Sequence, residues 1–422
     1  MHDLLKELLP LNRSLTGQGV RDTLERLGRE VPLRVREVPS GTRVLDWEVP
    51  REWSVEEAYL VGPDGRRFAD FAESNLHLVG YSRPVRERMP LERLQEHLHS
   101  LPEHPEWIPY RTSYWTEDWG FCLAHREREN LPEGEYEVVI ESRLEPGHLT
   151  YGEIHLPGET DDEILLSAHV CHPSMANDNL SGVLVAVEAA RVLADVSRRR
   201  TVRVLLAPAT IGPVAWMARN PVAVGRIRAG LVLACLGDPG PFTYKQSRRG
   251  DAPIDRAARQ VLHRRDEPHQ VREFTPTGYD ERQYGSPGFD LPVSRLTRTP
   301  HGEFPEYHTS ADDAGLVRPE SLEASVAAVL EIVHVLDRDR TLVNLSPYGE
   351  PQLGRRGLYR AMGGEPDVPA LQEALLWVLN LADGRHGLLD MAERSAMPFE
   401  LLDRAGRLLE EHELVRDADR PG

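Results

Sequence analysis

Side chains that bind metals are concentrated in one short polar loop of the sequence. The stretch EILLSAHVCHPSMANDNLSGVL, residues 163–184, contains His169, Cys171, His172 and Asp178, and an asparagine stands on each side of the aspartate. Imidazole, thiolate and carboxylate groups are the ligands that zinc takes in proteins. Turn chemistry is the alternative interpretation, because Asn and Asp cap helices and tolerate left-handed backbone conformations.

Two apolar segments enclose this loop and must position it. Residues 164–166 form an apolar run typical of a buried parallel strand, and the segment from Gly182 onward, GVLVAVEAARVLAD, predicts a helix with little polar interruption. Open α/β sheets bind their ligands beyond the carboxyl ends of the strands. The pattern therefore predicts a ligand site at the end of a strand.

Two further candidate ligands lie at corresponding places later in the chain. Asp238 ends the apolar run LVLACLGDPG, and His308 lies in EFPEYHTSADD after a long polar loop. Two histidines with two aspartates form a ligand set suited to zinc. We therefore predict that His169, Asp178, Asp238 and His308 bind zinc.

The motifs HVCHPSMANDNLSG, LGD, GYDERQY and YHTSADD, in this order, resemble those of the co-catalytic zinc aminopeptidases. The sequence is similar in particular to bacterial proteins of polysaccharide-biosynthesis type with an aminopeptidase-like domain, and the likeness covers nearly the whole chain. The resemblance implies that His169 binds the first metal, Asp178 bridges two metals, Asp238 is a terminal carboxylate ligand and His308 binds the second metal.

Two positions depart from the family pattern. Cys171 stands where the broader family has an aspartate that orients the first histidine, so that orientation must come from elsewhere, or Cys171 and His172 have changed the site. Ala209, in the segment PATIG, stands where the relatives have a glutamate that acts as general base or metal ligand. Alanine can do neither, so we expect about one tightly held zinc per chain in place of two.

Another carboxylate would have to accept the proton if catalysis persists. The candidates are Asp280 and Glu281 in GYDERQY and Glu306 beside His308. For Glu281 and its neighbour Arg282, a solvent-exposed ion pair is the alternative interpretation.

The resemblance and the apolar patterns together predict an α/β fold with three parts. Residues 1–33 and 126–345 are expected to form an aminopeptidase-like metal domain, a mixed sheet covered by helices. Residues 34–125 contain short alternating runs and turns, which indicate an inserted strand-rich domain. Residues 350–422 contain three helical patterns that resemble a winged helix.

An aromatic group in the predicted insertion allows two interpretations: a lining for a substrate entrance, or a packing core between the insertion and the main domain. Packing is favoured, because most aromatic clusters form cores. The group consists of Tyr110, Tyr114, Trp115, Trp119 and Phe121.

The charge and composition exclude several functions. The net charge of −18 argues against binding to nucleic acid or to an anionic membrane surface. The winged-helix region is itself acidic, with nine arginines against fourteen acidic residues in 350–422, so we expect it to contact a protein partner or a second copy of the chain. No apolar run reaches the length of a membrane span, and the three cysteines suggest free thiols in the cytoplasm.

Two functions fit these features. The first is a zinc-dependent aminopeptidase-like hydrolase that acts on the amide bond of a small peptide or related substrate. The second is a metal-binding, catalytically impaired protein of the same fold that acts as a binding or scaffold protein. Retention of four ligand-type residues favours a site that still binds metal, because buried charged groups without a partner are costly.

Overall fold

The computed structural model describes residues 1–358 and 368–418, so residues 359–367 and 419–422 of the expected winged helix lie outside the described residues. The helices are α1 (His2–Leu8), α2 (Gln18–Leu27), α3 (Leu91–Leu94), α4 (His125–Glu129), α5 (Gly182–Ala194), α6 (Ile211–Arg219), α7 (Pro221–Arg226), α8 (Pro253–Arg264), α9 (Glu281–Tyr284), α10 (Pro319–Arg338), α11 (Val368–Leu381), α12 (Leu388–Ser395) and α13 (Phe399–Glu411). The strands are β1 (Arg34–Pro39), β2 (Arg43–Val44), β3 (Trp47–Glu48), β4 (Glu52–Val61), β5 (Arg67–Phe68), β6 (Val85–Pro90), β7 (Leu98–His99), β8 (Phe121–Cys122), β9 (Glu135–Glu145), β10 (His148–Leu156), β11 (Thr160–His169), β12 (Arg200–Ala207), β13 (Ile227–Leu233), β14 (Phe242–Lys245), β15 (His269–Arg272), β16 (Val293–Thr297), β17 (Thr341–Asn344), β18 (Asp383–Gly387) and β19 (Val415–Asp417).

A mixed sheet of eight strands, in the order β1-β10-β12-β11-β13-β16-β14-β15, forms the main layer. Its central neighbours β12, β11, β13 and β16 are parallel to one another. These strands are apolar and buried on both faces, as expected for parallel strands covered by helices. The predicted α/β fold with a mixed sheet is confirmed.

Strand β11 and helix α5 enclose the ligand loop as the sequence predicts. Ile164, Leu165 and Leu166 are buried in β11, and most of α5 is buried beneath the sheet layer. An irregular turn, Ala176–Ser181, joins the loop to α5 and is itself buried. The loop therefore has little freedom to move away from the end of β11.

The strand-rich part of the chain is a second sheet in the order β5-β4-β9-β6. Its long strand β9 pairs antiparallel with both β4 and β6, so strand structure of this sheet continues beyond residue 125 to Glu145. In the opposite sense, β1 belongs by sequence to the expected insertion at 34–125, but it pairs with β10 at the edge of the main sheet.

The chain divides into two compact units, residues 1–252 with 267–329 and residues 253–266 with 330–422. In the second unit, β17 pairs with both β18 and β19, and the predicted helical patterns form α11, α12 and α13. Helix α8 belongs to this unit, where Arg256 contacts Asp390 at 2.6 Å and Glu393 at 2.7 Å.

Among the described residues, no helix combines the length and the apolarity needed to cross a bilayer.

Candidate metal centre

His169 and Asp178 meet at the carboxyl end of β11. His169 is the last residue of the strand, and Asp178 lies in the irregular turn before α5. Nε2 of His169 lies 2.8 Å from Oδ1 of Asp178, and both side chains are buried. The apolar strand and helix on either side thus place an imidazole and a carboxylate in contact.

Two more imidazoles face the other oxygen of the same carboxylate. Nε2 of His308 lies 3.0 Å from Oδ2 of Asp178, and Nδ1 of His172 lies 3.2 Å from it. Within the described part of the chain, His169, His172 and Asp178 form a group whose ligand atoms all lie within 4.8 Å of one another. The sequence placed His172 in the loop without giving it a role.

Burial and neighbouring charges set the protonation of these groups. Burial lowers the pKa of both His169 and His308. Burial opposes ionisation of Asp178, but the charges of His172 and His169 hold its pKa well below the ordinary value. Burial likewise opposes the charge of His172, and Cys171 and Asp178 overcome it, so that the His172 pKa is raised well above its ordinary value.

Asp238 lies in the loop after β13, and its carboxylate binds neighbouring loop atoms. Oδ2 accepts a hydrogen bond from Nδ2 of Asn177 at 3.1 Å, and Oδ1 accepts bonds from Oγ1 of Thr299 at 2.6 Å and the backbone N–H of Gly240 at 2.8 Å. His308 reaches Asp178 through its Nε2, but neither His308 nor Asp238 belongs to the compact ligand group of His169, His172 and Asp178 in the described part of the chain. The visible contacts of Asp238 join this loop to the loop that contains Asp178.

Cys235, three residues earlier in the same loop, contacts the centre. Its Sγ lies 3.9 Å from Oδ1 of Asp178 and 3.1 Å from the hydroxyl of Tyr279. The backbone N–H of Cys235 donates to Oδ1 of Asn179 at 3.1 Å, and Nδ2 of Asn179 lies 3.2 Å from Nδ1 of His169. Sequence reasoning missed Cys235, and the only available signal was its place in the motif LACLGD.

Asp312 is a second residue that the sequence did not single out. Its carboxylate accepts the backbone N–H of Asn177 at 2.5 Å and that of Asp178 at 2.9 Å. Asp312 is fully buried and belongs to the motif YHTSADD that also supplies His308. It fixes the backbone from which the Asp178 side chain projects.

The three candidate catalytic carboxylates have different surroundings. Oε1 of Glu281 is 2.9 Å from Nζ of Lys245 and 3.5 Å from Nη1 of Arg295, in a buried ion-pair network. Asp280 is buried, and its Oδ1 has no hydrogen-bond partner within the described residues. The backbone carbonyl of Glu306 accepts hydrogen bonds from the N–H and the hydroxyl of Thr309.

The surroundings of Asp280 favour its protonated form. Burial, and then the charge of Glu281, raise its pKa to about 7, and the charge of His172 acts in the opposite direction. Asp280 also follows Tyr279, whose ring stacks on His169 with centroids 5.0 Å apart.

Ala209 lies at the same edge of the sheet as the ligands. In the pairing of β11 with β12, His169 is opposite Ala207, and the carbonyl oxygen of Ala209 is 3.9 Å from Sγ of Cys171. The side chain of residue 209 is a methyl group, so no carboxylate stands at this position.

The aromatic group divides between the two interpretations. Trp119 and Phe121 are buried in the core, whereas Trp115 is 55% exposed. The Tyr110 ring contacts the rings of both His172 and His308, and its hydroxyl lies 2.8 Å from that of Tyr114. Tyr114 and Trp115 also line an open cavity of about 520 Å³.

Solved structures with this fold include zinc aminopeptidases. The zinc aminopeptidase of Bacillus subtilis matches with a TM-score of 0.58 and 13% identity, over 79% of this chain and 93% of that chain. The aminopeptidase of Aneurinibacillus sp. strain AM-1 matches with a TM-score of 0.52 and 12% identity, over 79% and 92%. At such identities the likeness shows the fold alone, and it defines the main layer as an aminopeptidase-type fold.

Much nearer relatives place the chain in a family. A family model described as a domain of unknown function, DUF4910, matches residues 2–339, and a winged helix-turn-helix model matches residues 340–417. A curated relative from Clostridium acetobutylicum, named as a proposed polysaccharide biosynthesis protein with aminopeptidase-like domain, is 44% identical over 416 residues, which are 99% of this chain and 96% of the relative. A crystal structure of a proposed peptidase from Clostridium acetobutylicum matches with a TM-score of 0.92 and 42% identity, over 99% and 95%. The chain belongs to this DUF4910 family of aminopeptidase-like proteins with a C-terminal winged helix, which confirms the resemblance seen in the sequence.

Proposed function

We propose that this protein is a zinc-dependent hydrolase that cleaves an amide bond next to a free amine. The observation that supports it best is the position of Asp178, whose two carboxylate oxygens are each contacted by histidine nitrogen, His169 at 2.8 Å and His308 at 3.0 Å. A buried carboxylate in contact with two imidazoles presents the oxygen and nitrogen ligands that zinc takes in proteins.

The donor atoms lie slightly closer together than ligands that share one zinc ion. Two nitrogen or oxygen ligands of one tetrahedral zinc ion lie about 3.3 Å apart when each bond is near 2.0 Å. The donor atoms of His169, His172 and His308 lie 2.8, 3.2 and 3.0 Å from the Asp178 carboxylate. Bound zinc would supply Lewis-acid activation of a carbonyl group and of water.

The remaining chemistry falls to residues of the chain. Asp280 is proposed as the proton acceptor that compensates for Ala209, because it is buried, lacks a partner on Oδ1 and has a pKa of about 7. Glu281 instead neutralises Lys245 and Arg295. Glu306 remains a candidate to be tested beside Asp280.

The alternative is a metal-binding protein of the same fold that has lost hydrolysis and acts as a binding or scaffold protein. Ala209 favours it, since the position lacks the carboxylate implied by the family pattern. The acidic composition of the winged-helix region favours contact with a protein or a second copy of the chain over contact with DNA.

One experiment separates the two proposals. The zinc-loaded protein is assayed on amino-acid anilides, on the same anilides with an acetylated amine, and on N-acetylated amino sugars, the last because of the name of the curated relative. Turnover of the free-amine anilides, lost on acetylation and in Asp178→Asn, supports the hydrolase. Zinc-bound protein with no turnover of any substrate above the Asp178→Asn background contradicts it and favours the binding protein.

A further inference from the structure

The side chains around Asp178 fall into two groups, one at each carboxylate oxygen. At Oδ1 stand Nε2 of His169, 2.8 Å away, and Sγ of Cys235, 3.9 Å away. At Oδ2 stand Nε2 of His308, 3.0 Å away, and Nδ1 of His172, 3.2 Å away. Each oxygen is thus paired with one residue that the sequence predicted as a ligand and one that it did not.

We propose that Cys235 and His172 are metal ligands, so that His169 and Cys235 bind metal at one oxygen of Asp178 and His308 and His172 bind metal at the other. This inference rests on the proposed zinc-dependent function and specifies its ligands. It replaces Asp238 by Cys235, and it supplies an imidazole where the missing glutamate leaves the second position short of a ligand.

The distances around Cys235 are compatible with a sulfur ligand. A sulfur and an oxygen that share one tetrahedral zinc lie about 3.5 Å apart, and the observed separation from Asp178 is 3.9 Å. The hydroxyl of Tyr279, 3.1 Å from Sγ, is placed to donate a hydrogen bond to a thiolate. The same Tyr279 ring stacks on His169, so one side chain supports both residues of this group.

Asp238 is poorly placed to take that role. Its two oxygens accept hydrogen bonds from Asn177, Gly240 and Thr299. Binding a metal would require it to give up contacts that connect the loop after β13 to the turn containing Asp178.

His172 is positioned by buried neighbours at the other oxygen. Its backbone carbonyl accepts a hydrogen bond from Nε of the buried Arg13 at 2.9 Å. Its ring packs edge-on against those of Tyr110 and His308, with centroids 5.4 and 5.0 Å away. It also follows Cys171 in the chain, and Sγ of Cys171 is 3.9 Å from the Ala209 carbonyl oxygen.

Cobalt(II) substitution tests the thiolate directly and needs no substrate. Cobalt bound to the wild-type protein should show a near-ultraviolet thiolate-to-metal charge-transfer band. Cys235→Ser should abolish the band, whereas Cys235→Asp should keep the cobalt but lose the band. Cys122→Ser and Cys171→Ser are the controls that should retain it, and near-ultraviolet circular dichroism identifies any variant that fails to fold.

Metal stoichiometry after dialysis tests His172. The wild type should retain two metal ions per chain and His172→Ala should retain one. His172→Glu should restore the second ion, and His334→Ala, at an exposed position, should change nothing.

Cobalt binding without a thiolate band, or a band that persists in Cys235→Ser and disappears in Cys171→Ser, overturns the assignment of Cys235. A stoichiometry of one that His172→Ala leaves unchanged overturns that of His172. Metal bound in this way without amide hydrolysis would instead overturn only the proposed function.

Discussion

Asp312 accepts hydrogen bonds from two consecutive backbone N–H groups in the turn that contains Asp178. Its Oδ2 accepts the N–H of Asp178 at 2.9 Å, and its Oδ1 accepts the N–H of Asn177 at 2.5 Å. A buried carboxylate thus sets the direction of another carboxylate at the centre of the proposed metal site. Loss of a hydrogen bond that orients a metal ligand typically lowers metal affinity by roughly 10–100-fold.

Replacing Asp312 by alanine should therefore weaken zinc by about one to two orders of magnitude, because the turn that presents Asp178 loses both of its acceptors. The change also leaves two buried N–H groups unpaired, which costs about 1–3 kcal/mol in the free energy of unfolding. Competition with a chromophoric chelator measures the affinity, and thermal unfolding measures the stability. The neighbouring Asp313→Ala, exposed at the surface, is the matched control, and equal zinc affinity in both variants would refute the positioning role.

The Asp280 carboxyl should impose a pH dependence with a definite sign. Its pKa is raised to about 7 by burial and by Glu281. In the unfolded chain an aspartate has a pKa of about 4, so the folded protein binds this proton more tightly than the unfolded chain does. The contribution to stability is therefore full below about pH 4 and is lost as pH rises toward 7. Asp280→Asn should raise the melting temperature relative to wild type at pH 8 and not at pH 4.

The same variant tests the proposed catalytic role. If Asp280 accepts the proton, kcat/KM of the wild type should rise with pH up to about 7, and Asp280→Asn should lose about 10²–10⁴-fold in kcat/KM together with that limb. A parallel assay of Glu306→Gln provides the comparison. An unchanged pH profile in Asp280→Asn would transfer the role to another group.

Glu281 should matter for stability and not for metal. Glu281→Gln removes the charge that faces Lys245 and Arg295 in a buried network, and loss of one partner of a buried ion pair costs about 3–5 kcal/mol. Denaturant unfolding should show this loss, while elemental analysis shows zinc at the wild-type level. A variant with normal stability and lost activity would restore Glu281 as a catalytic residue.

The substitution Ala209→Glu tests whether the missing carboxylate limits activity. A general base typically contributes ~10²–10⁴-fold to rate, so activity on amino-acid anilides should rise by an order of magnitude or more if the new carboxylate reaches the site. Ala209→Gln, of nearly the same size but unable to accept the proton, should not show the rise. Background activity in both variants with zinc bound would favour the binding-protein alternative.

The sequence predicted the fold and part of the candidate site for physical reasons that differ between residues. The apolar run ending in His169 and the apolar start of α5 defined a strand, a loop and a helix, because period and burial determine such elements. The limits of the domains were harder to predict from the sequence. The pairing of β9 with β4 and β6, and of β17 with β18 and β19, depends on contacts far apart in the chain.

The direction of side chains within a loop was beyond sequence reasoning. In LACLGD, both Cys235 and Asp238 are ligand types at the end of β13, and spacing cannot decide which one faces the centre. The structure distinguishes them through a left-handed residue at Cys235, with φ of 48°, and through the hydrogen bonds that Asp238 makes to Thr299 and Gly240. His172 was similarly ambiguous, because its role depends on His308, which contacts the same Asp178 carboxylate and lies 130 residues beyond Asp178 in the sequence.

The strand order gives the site a consequence for folding. His169 ends β11, and Cys235 and His308 lie in the loops after β13 and β16. These strands become neighbours only when the parallel centre of the sheet has assembled. Asp178 and His308 are 130 residues apart in sequence, so their contact is among those that close large loops and form slowly. Tight metal binding during refolding should then be a late event, and the rate of metal binding would report the rate at which the sheet is completed.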